Sequence, residues 1–184
     1  MKWLINPFER IAGWQALFIG LAAMSLTAVL GTLNGIAFDG VLDVHAGVGV
    51  LSGFTMSFIM QAVDFLALFL TKWIAGVCFS KSKLRLVDVA GTMALARAPM
   101  LLFTVICFLP VVPASLYDIP HTIIFVLLVI PFEIWMIALM YNAYTVSCHL
   151  KGRRAVVSFI VSLLAAEGIS KLVLIFLLSG VYQQ

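Results

Sequence analysis

Ionisable side chains inside long apolar stretches are the residues of this chain that could do chemistry, because charge within a bilayer is costly and often functional. There are five of them: Asp64, Arg97, Glu133, Glu167 and Lys171. Glu167 and Lys171 are four residues apart, so on one helix they face the same side and are predicted to pair. Asp64 and Arg97 are expected at a similar depth, roughly 10 Å inside the cytoplasmic edge, and are predicted to form a second pair.

Three acids and two bases leave one carboxyl over, which we assign to Glu133 as a neutral, hydrogen-bonded acid. The short connection 146–154 predicts that the fourth and fifth apolar segments are antiparallel neighbours. Glu133, Glu167 and Lys171 are therefore expected to form one cluster near the midplane. Such a cluster could fix helix packing, conduct protons or ions, or bind a lipid head group or a partner.

A second set of polar residues lies in the connections that are predicted to face away from the cytoplasm. Its members are Asp39, Asp43, His45, Asp118 and His121. Oxygen and imidazole ligands suit zinc or manganese, but their spacing matches no known ligand pattern. A solvated acidic rim is therefore predicted instead of a metal site. Enzyme signatures such as HExxH, GxSxG or a Walker A loop are absent, so no catalytic residue and no cofactor are predicted.

The composition determines the class of protein that must position these groups. The chain has 184 residues, of which 64% are hydrophobic and only 10% charged, with a mean hydropathy of +1.16. Too few charged residues are present to cover a soluble globule, so a multi-span membrane protein is predicted. Nucleic acid is excluded as a partner because the basic residues are spread over separate short loops.

Five apolar segments are long enough to cross a bilayer of about 30 Å. They cover about 14–34, 48–71, 98–116, 121–145 and 155–180. The sequence therefore predicts an all-α membrane protein, a five-transmembrane-helix bundle that takes up residues 1–184 as a single domain. The lipid bilayer is therefore the predicted partner of the apolar surface of this bundle.

The distribution of Lys and Arg predicts how this bundle is oriented. The N-terminal lead, the second-to-third connection and the fourth-to-fifth connection hold nine cations, and the other connections hold none. The nine are Lys2, Arg10, Lys72, Lys81, Lys83, Arg85, Lys151, Arg153 and Arg154. The positive-inside rule then places the N-terminus in the cytoplasm and the C-terminus outside. The basic loops are expected to contact anionic lipid head groups.

The segment 84–96 has the pattern of an amphipathic helix. Leu84, Val87 and Gly91 fall on one side, whereas Asp88 and Thr92 fall on the other. This periodicity predicts a short helix lying on the cytoplasmic interface and turning inward at Pro99. The alternative is a continuous, tilted third span that begins near residue 86.

Three stretches of the chain resemble the Yip family (Ypt/Rab-interacting membrane proteins) in its bacterial form. They read INPFERIAGW, SKSKLRLVDVAGTMALARAPMLL and WMIALMYNAYTVSCHLKGRRAVVSFIVSLLAAEGISKL. The resemblance implies the family's multi-span fold and a location in the bacterial cytoplasmic membrane. Eukaryotic members carry a longer cytosolic N-terminal region and act in vesicle traffic through Rab GTPases, whereas for bacterial members the resemblance implies no particular activity.

Two functions are predicted from these observations. The first is non-enzymatic membrane organisation or scaffolding of a protein partner that the sequence does not identify. The alternative is a small transporter, channel or lipid-handling protein that uses the intramembrane charges along a polar path. Closed charge pairs in a dry core would favour the first function, and a continuous polar cavity at the midplane would favour the second.

Overall fold

A computed structural model describes residues 6–46, 53–109, 112–113 and 118–181. Its helices are α1 (Gly13–Leu33), α2 (Phe54–Phe79), α3 (Leu86–Ala96), α4 (Pro99–Ile106), α5 (Ile119–Cys148) and α6 (Gly152–Val181). Helices α3 and α4 follow one another as a single span, so five helical segments are long and apolar enough to cross a membrane. The prediction of an all-α protein with five candidate spans is confirmed at this level.

Two short elements complete the architecture. A 3₁₀ turn at Pro7–Glu9 precedes α1 and buries Phe8. Between α1 and α2, strands β1 (Ile36–Ala37) and β2 (His45–Ala46) pair antiparallel. The residues between the two strands form a loop that returns toward the helices.

The second span differs from its predicted bounds of 48–71. Residues 47–52 lie outside the described part of the chain, and the helix continues to Phe79. Lys72 is therefore inside α2 and does not belong to a cytoplasmic loop as predicted. The reason is that the apolar run resumes at Trp73, so a single lysine does not end the helix.

The third span is the central element of the bundle. It is 72% buried, against 28% for each of the last two spans, and α3 packs against α1, α2 and α5. Small residues allow this closeness. A Cβ added to Gly20 would lie 2.4 Å from the Ala94 backbone, and one added to Gly91 would lie 2.3 Å from the Gly13 carbonyl oxygen.

This packing corrects the predicted amphipathic pattern of 84–96. Thr92, expected on the water-facing side, is 0% exposed and hydrogen-bonds to Ser147 of α5 at 2.7 Å. The surface of α3 is enclosed by three neighbours, which fits the alternative of a third span that begins at Leu86. The break before Pro99 is present, because the Met100 amide reaches only back to Arg97, at 3.0 Å.

The last two helices diverge after their connecting turn. Helix α6 packs along α2, whereas α5 packs against α3 and α4. Their direct contact includes Phe159, whose ring lies 5.3 Å from that of Tyr141 and 6.0 Å from that of Tyr144. The sequence predicts that the midpoints of the fourth and fifth spans come close, whereas in the structure these two helices touch only in part and α2 takes the main place beside α6.

Candidate functional site: charges buried inside the bundle

The connection between α1 and α2 folds into the bundle instead of remaining in solvent. We call residues 36–46 the inserted loop. Its side chains Ile36, Phe38 and Val41 are at most 4% exposed. Gly31 makes room for it, since a Cβ there would lie 3.0 Å from the Ile36 carbonyl oxygen. The inserted loop therefore brings backbone groups and aspartates toward the charged residues of the spans.

Asp64 and Arg97 form the ion pair that their positions in the sequence predict. Arg97 Nη2 lies 3.7 Å from Asp64 Oδ2, and both side chains are almost completely buried. Ser170 of α6 donates a hydrogen bond to Asp64 Oδ1. Asp64 lies on α2, Arg97 lies at the break between α3 and α4 in the third span, and Ser170 lies on α6. These contacts therefore join three spans.

Arg97 makes two further contacts that depend on this break. Its Nη1 donates to the Val41 carbonyl oxygen of the inserted loop at 3.5 Å, and its Nη2 donates to Gln61 Oε1 at 3.4 Å. A buried guanidinium has five donors to satisfy. The backbone of the inserted loop accepts one of these hydrogen bonds, although the sequence predicts a solvated rim for this loop.

Both members of the pair lie well inside their spans. At 1.5 Å per residue, Asp64 is about 15 Å from the start of α2 and about 22 Å from its end at Phe79. Arg97 is about 16 Å from the start of its span at Leu86. The roughly 10 Å that the sequence predicts for Asp64 assumes a second span that ends at residue 71, whereas α2 continues past Lys72 to Phe79.

Glu167 binds the inserted loop and not the lysine four residues later. Its Oε2 accepts a hydrogen bond from the Leu42 amide at 3.0 Å. Gly40 allows the approach, since an added Cβ would lie 2.5 Å from Glu167 Oε1. A buried backbone amide needs such an acceptor. Glu167 therefore fixes the tip of the loop.

Lys171 pairs with the aspartates of the inserted loop. Its Nζ donates to Asp43 and lies 3.9 Å from Asp39 Oδ1. Glu167 and Lys171 make no ion pair within 4 Å, and Glu167 acts on Lys171 only at longer range. Burial opposes ionisation of Asp43, but the hydrogen bond and charge of Lys171 outweigh it, so the pKa of Asp43 is below its ordinary value of 3.8. Asp64, Arg97, Glu167 and Lys171, together with the inserted loop, are called the outer ionic cluster below.

Glu133 does not join Lys171 in the predicted midplane cluster. It is half-buried on α5, and among the described residues no cation lies within 4 Å of its carboxylate. Asp43 and Glu167 are electrostatic neighbours at longer range. The reason is the divergence of α5 from α6, which separates Glu133 from the lysine.

The outer polar residues divide into two groups. Asp39, Asp43 and His45 have ligand atoms within 4.8 Å of one another, a spacing that could hold a metal ion. His45 Nδ1 lies 2.7 Å from Asp39 Oδ1, and Lys171 also pairs with both aspartates. Asp118 and His121 form a separate pair at 2.8 Å.

Lys72 is the buried charge that the sequence analysis missed. It is 0% exposed, and its Nζ donates to the Phe159 carbonyl oxygen at 2.7 Å and to Ser162 Oγ at 3.0 Å. The same nitrogen lies 3.7 Å from the centre of the Phe159 ring and 5.4 Å from that of Tyr144. Within the described ranges, no carboxylate lies within 4 Å of it. We call these groups the Lys72 site.

A signal for this burial exists in the sequence. Gln61, Asp64, Leu68 and Lys72 recur at spacings of three and four, and all four are buried on one face of α2. The apolar residues that follow Lys72 extend the same helix. The positive-inside rule favours a loop position for a lysine near the end of a span, whereas the spacing of these four residues favours a place within the helix.

Two cavities of the molecule are apolar and do not include the charged clusters. One of about 400 Å³ lies between α1 and α2, and Gln61 and Ser25 are its polar lining residues. The other, of about 330 Å³, lies beside the break at Pro99 and is lined by residues such as Leu95 and Trp135. Asp64, Arg97, Glu133, Glu167 and Lys171 line neither cavity.

Comparison with known proteins adds no relative. No protein-family model matches the chain, and no curated protein or solved structure matches it.

Proposed function

We propose that this multi-span membrane protein is a non-enzymatic protein of membrane organisation, which holds a rigid helical surface for a partner. One observation carries the proposal: Asp64, Arg97, Glu167 and Lys171 are closed against one another, Ser170 and the inserted loop. Asp64 contacts Arg97 and Ser170, and Glu167 contacts the Leu42 amide. Charged groups arranged in this way fix helix packing and leave no carboxylate of the Asp64–Arg97 pair exposed to solvent.

The bacterial cytoplasmic membrane and the Yip family are part of this proposal. The resemblance of three stretches supports both, and the two basic connections support a cytoplasmic face. Lys83 and Lys151 are exposed on these connections. The two connections lie at the same end of the bundle, because the helix ends that precede them are in contact: a Cβ at Gly76 of α2 would lie 2.6 Å from Cys148 Sγ at the end of α5. An N-in, C-out orientation follows from the positive-inside rule, with anionic lipid head groups as contacts of this face.

Orientation can be tested by labelling single cysteines in intact cells. With the three native cysteines replaced by alanine, Lys83→Cys should stay unlabelled by a membrane-impermeant maleimide until the cells are opened. Ile119→Cys, at the other end and 65% exposed, should be labelled in intact cells. The opposite pattern would reverse the orientation.

A second candidate function is the passage of protons or ions. Its supporting observation is that Gln61, Asp64 and Lys72 share one buried face of α2 and lie at successive depths. Between Asp64 and Lys72, however, this face carries Leu68, which is 0% exposed. An apolar layer at that point favours the scaffolding role over a continuous path.

The two functions can be separated in sealed proteoliposomes with an internal pH-sensitive dye. Under an imposed proton gradient or membrane potential, wild-type protein should give the same leak as protein-free vesicles, and so should Asp64→Asn. A proton flux in the wild type that disappears in Asp64→Asn or Lys72→Met would overturn the scaffolding proposal and establish transport. Circular dichroism of each variant controls for loss of folding.

A further inference from the structure

The groove between α1 and α2 has the size and lining of a ligand site. Its volume is about 400 Å³, within the range of roughly 300–1,000 Å³ that small-molecule sites occupy. Leu21 of α1 and Phe58, Phe65 and Leu66 of α2 form its apolar walls. Phe58 and Leu66 are also half-exposed on the outer surface of the bundle, so the groove opens toward the surrounding lipid.

Gln61 gives this groove a side-chain amide whose nitrogen has no acceptor on the described chain. The residue is 3% exposed, lines the groove, and accepts a hydrogen bond from Arg97 through its Oε1. Within the described part of the chain, the hydrogen bond of the Gln61 side chain is the one that Arg97 donates to its Oε1, and its amide nitrogen has no acceptor there. Bulk water does not supply an acceptor inside a bilayer, so an amide without a partner is unfavourable there. A ligand with an acceptor oxygen would remove this cost.

The depth of Gln61 indicates which acceptor can reach it. At 1.5 Å per residue it lies about 10 Å below the start of α2 at Phe54, and Ser25 lies at a similar depth, about 12 Å below the end of α1 at Leu33. Helix α2 is about 39 Å long and therefore exceeds the hydrocarbon core of about 30 Å. With α2 centred on the hydrocarbon core, Gln61 lies about 6 Å inside the boundary, where its side chain can extend toward the lipid ester groups.

We propose that the groove binds one diacyl glycerophospholipid. An ester carbonyl accepts a hydrogen bond from the Gln61 amide, and the acyl chain below it lies along Leu21, Phe65 and Leu66. At the same time, Gln61 Oε1 accepts a hydrogen bond from Arg97. The bound lipid therefore contacts a residue that is hydrogen-bonded to the Asp64–Arg97 pair. This lipid site does not require the scaffolding role proposed above.

Competition between two synthetic lipids tests the role of the carbonyl. The purified full chain is incubated with equal amounts of a diester phosphatidylcholine and the diether lipid with the same head group and chains. Native mass spectrometry then reads the ratio of the two lipids retained. One hydrogen bond predicts a two- to tenfold preference for the ester in the wild type.

Three variants locate this preference. Gln61→Glu keeps the acceptor for Arg97 and removes the amide donors, so the ester and ether lipids should bind equally. Ala62→Phe should fill the groove and reduce the retained lipid severalfold without altering Gln61. Ala138→Phe, on the exposed surface of α5, is the matched control and should retain lipid and ester preference as the wild type does.

Specific outcomes would overturn the assignment. Equal retention of ester and ether lipid by the wild type would exclude the carbonyl contact. An ester preference that survives Gln61→Glu would place the contact elsewhere. Equal lipid loss in Ala62→Phe and Ala138→Phe would show that retained lipid covers the general surface and does not occupy the groove.

Discussion

The outer ionic cluster and the Lys72 site both bury positive charge, but they stabilise it with different groups. In the outer ionic cluster, Arg97 faces a carboxylate, a side-chain amide and a backbone carbonyl. In the Lys72 site, the ammonium group faces a carbonyl, a hydroxyl and two aromatic rings. Removing either member of the Asp64–Arg97 pair leaves a buried charge without its partner, whereas removing the Lys72 amino group leaves no carboxylate unpaired.

This difference follows from where the partners come from. Asp64 and Arg97 lie on separate spans, and the inserted loop supplies further contacts from a third segment. The partners of Lys72 lie mostly on α6, which packs along α2. The outer ionic cluster therefore connects many elements, and the Lys72 site secures a single helix pair.

The largest predicted effect is the loss of one member of the Asp64–Arg97 pair. Asp64→Leu or Arg97→Met should each lower the free energy of unfolding by about 3–5 kcal/mol, because the remaining charge is buried without its partner. Denaturation by SDS in mixed micelles measures this. The double variant should be more stable than either single one, and additive losses would show that the two side chains are not coupled.

A smaller effect is expected at the Lys72 site. Lys72→Met should change the free energy of unfolding by at most about 1 kcal/mol, since methionine keeps most of the volume and no carboxylate is left unpaired. The same SDS titration provides the comparison. A loss as large as that of Arg97→Met would mean that Lys72 compensates a negative charge, which contradicts the difference between the two regions.

The smallest effect is expected at the exposed edge of the outer ionic cluster. A double-mutant cycle of Lys171→Met with Asp43→Asn should give a coupling of about 0.5–1 kcal/mol, because the pair is partly exposed. A parallel cycle of Lys171→Met with Glu167→Gln should give a smaller coupling. A larger coupling of Lys171 with Glu167 than with Asp43 would instead support the Glu167–Lys171 pair that the four-residue spacing predicts.

The pH dependence of this edge follows from Asp43. Its pKa in the folded protein is lowered from 3.8, so the unfolded chain takes up the proton first as the pH falls. The stabilisation is present above pH 3.8 and is lost as the pH falls through the lower folded value. The stability difference between wild type and Asp43→Asn should therefore shrink below pH 3.8, and an unchanged difference there would contradict this pairing.

Composition and hydropathy were sufficient to predict the number of spans, because burying apolar surface in a bilayer depends on segment length and not on which helices become neighbours. The Asp64–Arg97 pair could also be predicted, since two opposite charges at one depth have few other partners. Glu167 and Lys171 show the limit of this reasoning. Their spacing permits a pair, but a loop more than 120 residues earlier in the chain supplies better partners for both.

The sequence by itself determined that this chain forms five apolar helices, which connections are basic, and that Asp64, Arg97, Glu133, Glu167 and Lys171 lie within the spans, whereas the burial of Lys72 inside α2 came from the structure. Only the tertiary structure decided that the third span is central, that α6 packs on α2 instead of α5, and that the inserted loop reaches Arg97, Glu167 and Lys171. The physical reason is that helix formation in a bilayer is local, whereas helix neighbours are selected by close packing of small residues and by distant polar groups that need partners.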